Sequence, residues 1–266
     1  EYDENGNTIS SSSEYDYDGD GNVDEYEYYN TQQDEDGQTI SESYESNYES
    51  YSYEYDDNGN LMYSNSSYDY DGDGVADEYE YYNYQYDEDG YIISESYESA
   101  DGSYSYVYDE DGAYTEYNMS DADGSTSIDY DEDGNISYQI FEYDYDGDGV
   151  TDESEAFTYE YDEYGTVILQ VSEYDYDGDG SVDEVITESL DYDYVNMKII
   201  YTTETDSDGD GIVDETSVLV YNYDSTGTSL ETIDVDNDGD GVVDEVWQYY
   251  TAVYDENDNL IAEVYD

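Results

Sequence analysis

One ten-residue pattern, D-x-D-x-D-G-x-x-D-E, occurs six times in this chain, and the regular distances between its copies constrain the fold more than any other feature. The copies begin at Asp16, Asp69, Asp144, Asp175, Asp206 and Asp236, with every Asp and Gly of the pattern kept. Carboxylates at alternate positions of a tight loop turn their oxygens to the same side, and the glycine permits the sharp bend that closes it. That arrangement suits a hard divalent cation. The first position is supplied by the six aspartates just named. The third is Asp18, Asp71, Asp146, Asp177, Asp208 or Asp238, and the fifth is Asp20, Asp73, Asp148, Asp179, Asp210 or Asp240. The seventh residue, Asn22, Val75, Val150, Ser181, Ile212 or Val242, offers its backbone carbonyl. The ninth, Asp24, Asp77, Asp152, Asp183, Asp214 or Asp244, binds directly or through water. Ca²⁺ at about six sites is the expected ion, since six to eight oxygen ligands in a flexible loop are its preference.

A second motif alternates with the first: Tyr-Asp, two variable residues, then Gly. It starts at Tyr2, Tyr55, Tyr86, Tyr108, Tyr130, Tyr161 and Tyr223, with variants at Gln33, Tyr192 and Tyr254. Asp followed by a late Gly is hairpin-turn chemistry, because Gly takes the positive φ that a bulged loop requires. From the first Asp of a ten-residue loop to the Asp of the next Tyr-Asp turn is 18 residues, as in 16 to 34, 69 to 87 and 144 to 162. The return is 13, as in 56 to 69 and 131 to 144. Where no ten-residue loop intervenes, successive Tyr-Asp turns lie 22 apart, and a short turn takes its place at Ser46-Asn47, Ala100-Asp101-Gly102 or Asp121-Ala122-Asp123-Gly124.

The segments between turns are about eight residues with partial period-two alternation, rich in Tyr, Thr, Val and Ile and free of Pro, as in Tyr51–Tyr55 and Tyr104–Tyr108. They predict strands roughly 25 Å long. The expected fold is therefore all-β, an elongated antiparallel meander, a solenoid-like tandem array with calcium loops along one edge and Tyr-Asp turns along the other. Residues 1–266 read as a single array. A soft compositional boundary falls near Phe141, since Val, Ile and Leu number 11 in residues 1–140 and 27 in 141–266. The first part must rely on Tyr, of which the chain has 44 against 2 Phe, so a thin interior with hydroxyls reaching water is expected.

The balance of 79 acids against one base, Lys198, gives a net charge of -78. Nucleic-acid binding needs clustered Lys and Arg, so it is excluded as an expectation, and so is an anionic membrane surface. Such self-repulsion disorders a chain unless cations belong to the folded state. Cys is absent, and no run of 18 apolar residues is present to span a membrane. With no His, Cys or Arg, catalysis is not expected. Lys198 reads as a local ion-pair partner. Asn65, Asn118 and Asn135 stand in N-x-S sequences and are candidate glycan acceptors.

The acidic loop resembles that of the EF-hand, and those of dockerins and thrombospondin type 3 repeats. The resemblance implies a bidentate Glu at position 12, which is present as Glu27, Glu80 and Glu155 but replaced by Ile186, Ser217 and Trp247. Glu at position 10 never varies: Glu25, Glu78, Glu153, Glu184, Glu215 and Glu245. Either position is a candidate closing ligand. Position 8, which is Val23, Ala76, Thr151, Val182, Val213 or Val243, is expected to pin the loop to a core. The Tyr-Asp turns resemble the YD repeats of Rhs and teneurin-type proteins, which implies spiralling antiparallel sheet geometry.

Together these readings describe an extracellular or cell-surface calcium-binding structural protein, a segment of a fibre rigidified by Ca²⁺. Loops made only of oxygen ligands suit extracellular calcium concentrations. The chain starts and stops within a repeat, so head-to-tail stacking on copies of itself through edge strands is the expected contact. Two alternatives stay open: a spacer or ligand-binding stalk of a surface adhesin, and an acidic matrix or mineral-binding protein.

Overall fold

The computed structural model describes residues 1–2, 6, 9–195, 197–223, 229–254 and 260–264; for 222–223, 229–232, 247–254 and 260–264 it describes the backbone alone. The turns expected after Tyr2, Tyr223 and Tyr254 lie outside the described residues. The fold is all-β, and contacts group it into two compact units, Glu1–Ala122 and Asp123–Asp266.

The first unit holds β1 (Ser10–Tyr15), β2 (Glu25–Gln33), β3 (Thr39–Ser46), β4 (Glu49–Tyr55) and β5 (Leu61–Tyr68). It continues with β6 (Glu78–Tyr86), β7 (Ile92–Ser99), β8 (Gly102–Tyr108) and β9 (Tyr114–Asp121). The second holds β10 (Gly124–Tyr130), β11 (Ile136–Tyr143), β12 (Glu153–Tyr161), β13 (Val167–Asp175) and β14 (Glu184–Asp193). After these come β15 (Lys198–Asp206), β16 (Glu215–Tyr223), β17 (Ser229–Asp236), β18 (Glu245–Tyr254) and β19 (Leu260–Val264).

Within each unit every strand pairs antiparallel with the strand before and the strand after it, so both units are meanders of tandem hairpins. The Tyr-Asp turns sit where the spacing places them. Asp56 is representative: its Oδ1 accepts the N–H groups of Asn58 and Asn60, and Gly59 takes φ +85°. The strand register slips by one residue at Glu54/Tyr55, which is the bulge that a Gly-containing loop of this length creates. The same two Asp-centred hydrogen bonds recur at Asp34, Asp87, Asp109, Asp131 and Asp162.

Among the described residues each strand of a unit lies beside its sequence neighbours alone, and the lack of buried hydrophobic side chains is that of a sheet one layer thick. Among the described residues no hydrophobic side chain is buried; the seven buried residues are Thr31, Ser64, Ser172, Asp69, Asp175, Asp206 and Asp236. Tyrosines cover the sheet faces instead. Tyr44 stacks on Tyr51 across β3 and β4 at 5.2 Å, and Tyr97 on Tyr104 across β7 and β8 at 5.1 Å. Their hydroxyl ends find polar partners: Tyr108 donates to Glu95 at 2.8 Å, Tyr86 to the Leu61 carbonyl at 2.8 Å, and Tyr161 to the Ile136 carbonyl at 2.7 Å. Tyr thus supplies apolar area without orphaning its oxygen. Position 8 has no buried core to enter: Val23, Ala76, Val182 and Val243 are exposed, and Thr151 and Val213 only half-buried. Among the described residues no helix is long and apolar enough to cross a membrane.

Candidate metal centre

Each ten-residue loop joins two paired strands: β1 to β2, β5 to β6, β11 to β12, β13 to β14, β15 to β16 and β17 to β18. A common set of hydrogen bonds shapes all six. The N–H of the position-6 glycine donates to Oδ2 of the first aspartate, at 3.0 Å for Gly21 to Asp16 and 2.7 Å for Gly211 to Asp206. The N–H of position 2 donates to Oδ2 of position 9, from 2.6 Å for Tyr17 to Asp24 to 3.0 Å for Asn237 to Asp244. Position 5 donates its N–H to position 3, and position 7 donates to position 5. The glycines at positions 4 and 6 both lie at positive φ in every copy.

This wiring gathers carboxylate oxygens. In the first four loops positions 1, 3 and 9 come together: Asp16, Asp18 and Asp24; Asp69, Asp71 and Asp77; Asp144, Asp146 and Asp152; Asp175, Asp177 and Asp183. In the fifth, Asp206, Asp208 and Asp210 do so. In each group one oxygen per residue lies within 4.8 Å of the others, so these groups could hold a metal ion. The spacing fits a hard cation, since oxygens 2.3–2.6 Å from one Ca²⁺ are at most about 5 Å apart.

Burial singles out the first position. Asp69 is 9 % exposed, Asp175 7 %, Asp206 6 % and Asp236 7 %, whereas Asp16 is exposed and Asp144 half-buried. A buried carboxylate is costly without a counter-charge, and the whole chain has one Lys and no Arg to supply it.

The candidate closing glutamates lie outside these groups. In the first four loops Tyr17, Tyr70, Tyr145 and Tyr176, at position 2, donate their hydroxyls to Glu25, Glu78, Glu153 and Glu184, at position 10. Glu25 in turn pushes the Tyr17 hydroxyl up to about 12, and Glu184 does the same to Tyr176. Each of these tyrosines also stacks on the tyrosine before the last strand residue or at it, as Tyr15 on Tyr17 at 5.9 Å and Tyr143 on Tyr145 at 5.8 Å. In these four loops positions 2 and 10 therefore form a Tyr–Glu clasp across the loop. Positions 12 stand two residues further on, in β2, β6 and β12, where Glu80 accepts a hydroxyl from Tyr97 at 3.4 Å. Neither the Tyr–Glu clasp nor the part played by the glycine at position 4 is expected from the ligand pattern. Both leave a trace as residues that recur: Gly at position 4 in all six copies, Tyr at position 2 in four.

The candidate glycan acceptors are engaged in the sheet or its turns. Asn65 accepts from Ser52 and donates to Tyr63, Asn118 donates to Glu116, and Asn135 donates to Asp131.

No family model and no curated protein matches the chain. Among solved structures, it is similar to a crystal structure of TcdB2-TccC3 without its hypervariable C-terminal region, at 11 % identity over 98 % of this chain and 19 % of that one, with a TM-score of 0.27. A crystal structure of TcdB2-TccC3 matches at 11 % identity over 99 % of this chain and 20 % of that one, with a TM-score of 0.19. The chain spans about a fifth of the chains it matches. Superpositions this loose carry no argument about fold or function. The local geometry therefore stands alone: a tandem antiparallel β-repeat protein with groups of Asp that could hold a metal ion.

Proposed function

We propose that the chain is an extracellular calcium-binding structural protein, a segment of a surface fibre in which Ca²⁺ closes the six loops. The observation that carries this reading is the burial of four of the six first-position aspartates in a chain with a single Lys and no Arg or His to pair with them. An external divalent ion resolves the conflict, and its binding free energy becomes folding free energy. The ion would be held by positions 1, 3 and 5, the carbonyl of position 7, and position 9, with water completing the shell. Calcium is favoured over magnesium because the loop offers many oxygens in an irregular arrangement, while Mg²⁺ demands a near-ideal octahedron and keeps its waters. The chain's role on this reading is mechanical, not catalytic.

Terbium offers a direct test, since Tb³⁺ takes the place of Ca²⁺ and is sensitised by nearby tyrosine. Titration of the calcium-free protein should give tyrosine-sensitised luminescence that Ca²⁺ displaces and Mg²⁺ in equal amount does not. Luminescence indifferent to calcium would sink the proposal. The fibre component has its own test: light scattering of concentrated protein in calcium should show growth beyond the monomer, and a monodisperse monomer would refute that component alone.

A further inference from the structure

We propose that the last four loops, those beginning at Asp144, Asp175, Asp206 and Asp236, take up their ions as one coupled row, while the loops at Asp16 and Asp69 bind independently. This inference rests on the calcium reading and adds to it a regulation of the same sites.

The motivating contact is between backbones. A Cβ placed on Gly178 would lie 2.0 Å from the Thr151 carbonyl oxygen, on Gly209 2.0 Å from that of Val182, and on Gly239 2.0 Å from that of Val213. Each glycine is position 4 of its loop, and each carbonyl is position 8 of the loop before. No atom but a bare glycine hydrogen fits there. The same position elsewhere is open: a Cβ on Gly19 or Gly147 meets nothing within 4 Å, and on Gly72 only the Tyr48 ring edge at 3.7 Å. Hydrogen bonding divides the loops in the same way. Gly19, Gly72 and Gly147 donate their N–H to the first aspartate at 2.6–2.7 Å. In the three stacked loops that aspartate accepts instead from position 3, at 3.3 Å for Asp177 to Asp175 and 3.4 Å for Asp208 to Asp206.

Stacking also accounts for the burial. Asp175, Asp206 and Asp236 are buried, and each belongs to a loop seated on a predecessor. Asp69 is buried too, but its cover is a short turn: its N–H donates to the Tyr48 carbonyl at 2.8 Å, and that turn lacks the acidic loop pattern. The covering residue in the stack, position 8, lies between two groups that face the ion, the carbonyl of position 7 and the carboxylate of position 9. Fixing those two by an ion fixes the carbonyl on which the next glycine rests. The next loop then loses less conformational freedom when it binds, which is positive coupling. Repulsion between neighbouring ions works against this. Loops two strands apart place them about 10 Å from each other, somewhat beyond the Debye length of about 8 Å at physiological salt, and the carboxylates around each ion cancel much of its charge, so that opposition is weakened.

The test is calcium titration of the full chain by calorimetry and terbium luminescence, with two alanine variants. Gly209→Ala and Gly147→Ala both put a side chain at positive φ, +65° and +71°, but only the first drives a methyl into a neighbouring loop. The wild type should bind in two phases, one independent and one with a Hill coefficient of about 2. Gly209→Ala should return the second phase to a coefficient near one and weaken it about tenfold; Gly147→Ala should leave the coupling intact among the loops that follow. Should Gly209→Ala fail to fold, Asp146→Asn serves instead. Removing a ligand from the third loop should weaken binding in the fourth severalfold, and Asp71→Asn should weaken only its own loop. Six independent sites in the wild type, or equal effects of the two alanine variants, overturn the coupling alone. No calcium binding at all overturns the calcium reading together with it.

Discussion

In four of the six loops the first-position aspartate is both the most buried of the acidic groups and the acceptor around which the loop is wound. Asp206 accepts from Gly211 at 2.7 Å and from Asp208 and Asp210 at 3.3–3.4 Å while only 6 % exposed. Asp206→Asn keeps the volume and removes the charge. Hydrogen bonds to a charged acceptor are worth about 1.5–3 kcal/mol, so calorimetry should find the affinity of that loop lowered by about 10- to 100-fold. Tyr176 gives a pH prediction. Its hydroxyl is raised from 10.0 to about 12, first by donating to Glu184. A group raised in the folded state contributes its full stability below the unfolded value of 10 and loses it as pH climbs through 12. Subtracting the alkaline tyrosinate titration of Tyr176→Phe from that of the wild type should leave a step near pH 12, and a step at pH 10 would show the clasp does not form. At the acid end Asp56 is held below the usual carboxylate range, chiefly by the Asn60 side-chain amide. A lowered value contributes stability above the unfolded 3.8 that fades as pH falls through the folded value. Its NMR titration should therefore lag behind that of a free aspartate.

The hairpin is the unit in which the chain was readable. Turn glycines and the 22-residue spacing located strands such as β4 and β8 because a period-two segment between two turns has few other things to become. Positions 1 and 3 were readable as a pair, since alternate residues in a tight loop converge by geometry; in the first four loops position 9 joins them where position 5 was expected as well. What stayed hidden depends on residues distant in sequence. Gly178 is a loop glycine like any other until β13 and β14 bring it against Thr151. The glutamate at position 10 was expected as a closing ligand, and its tyrosine partner, Tyr176 for Glu184, was not expected. Position 8 misled for a related reason: a valine in a loop suggests a core, and single-layer sheets provide none. Two kinds of hairpin end make a clear prediction. Chelation should raise amide exchange at β5–β6 and β11–β12, whose ends are acidic loops, about tenfold or more. The hairpins β3–β4 and β7–β8, closed by short turns, should change far less. Uniform loss of protection in both kinds would contradict a local role for the ion.

Across the molecule, one-layer sheets and a net charge of -78 leave the fold short of hydrophobic stabilisation and long on repulsion. Tyrosine stacking and its hydroxyl bonds to Glu supply part of the deficit within each unit. If cations in the loops supply the rest, thermal unfolding followed by circular dichroism, in millimolar calcium and in excess chelator, tests it most directly. Withdrawing calcium should lower the melting midpoint by a large margin or abolish the β signal, with full recovery on adding calcium and little on adding magnesium. An unchanged spectrum and an unchanged midpoint in excess chelator would contradict a structural role for the ions.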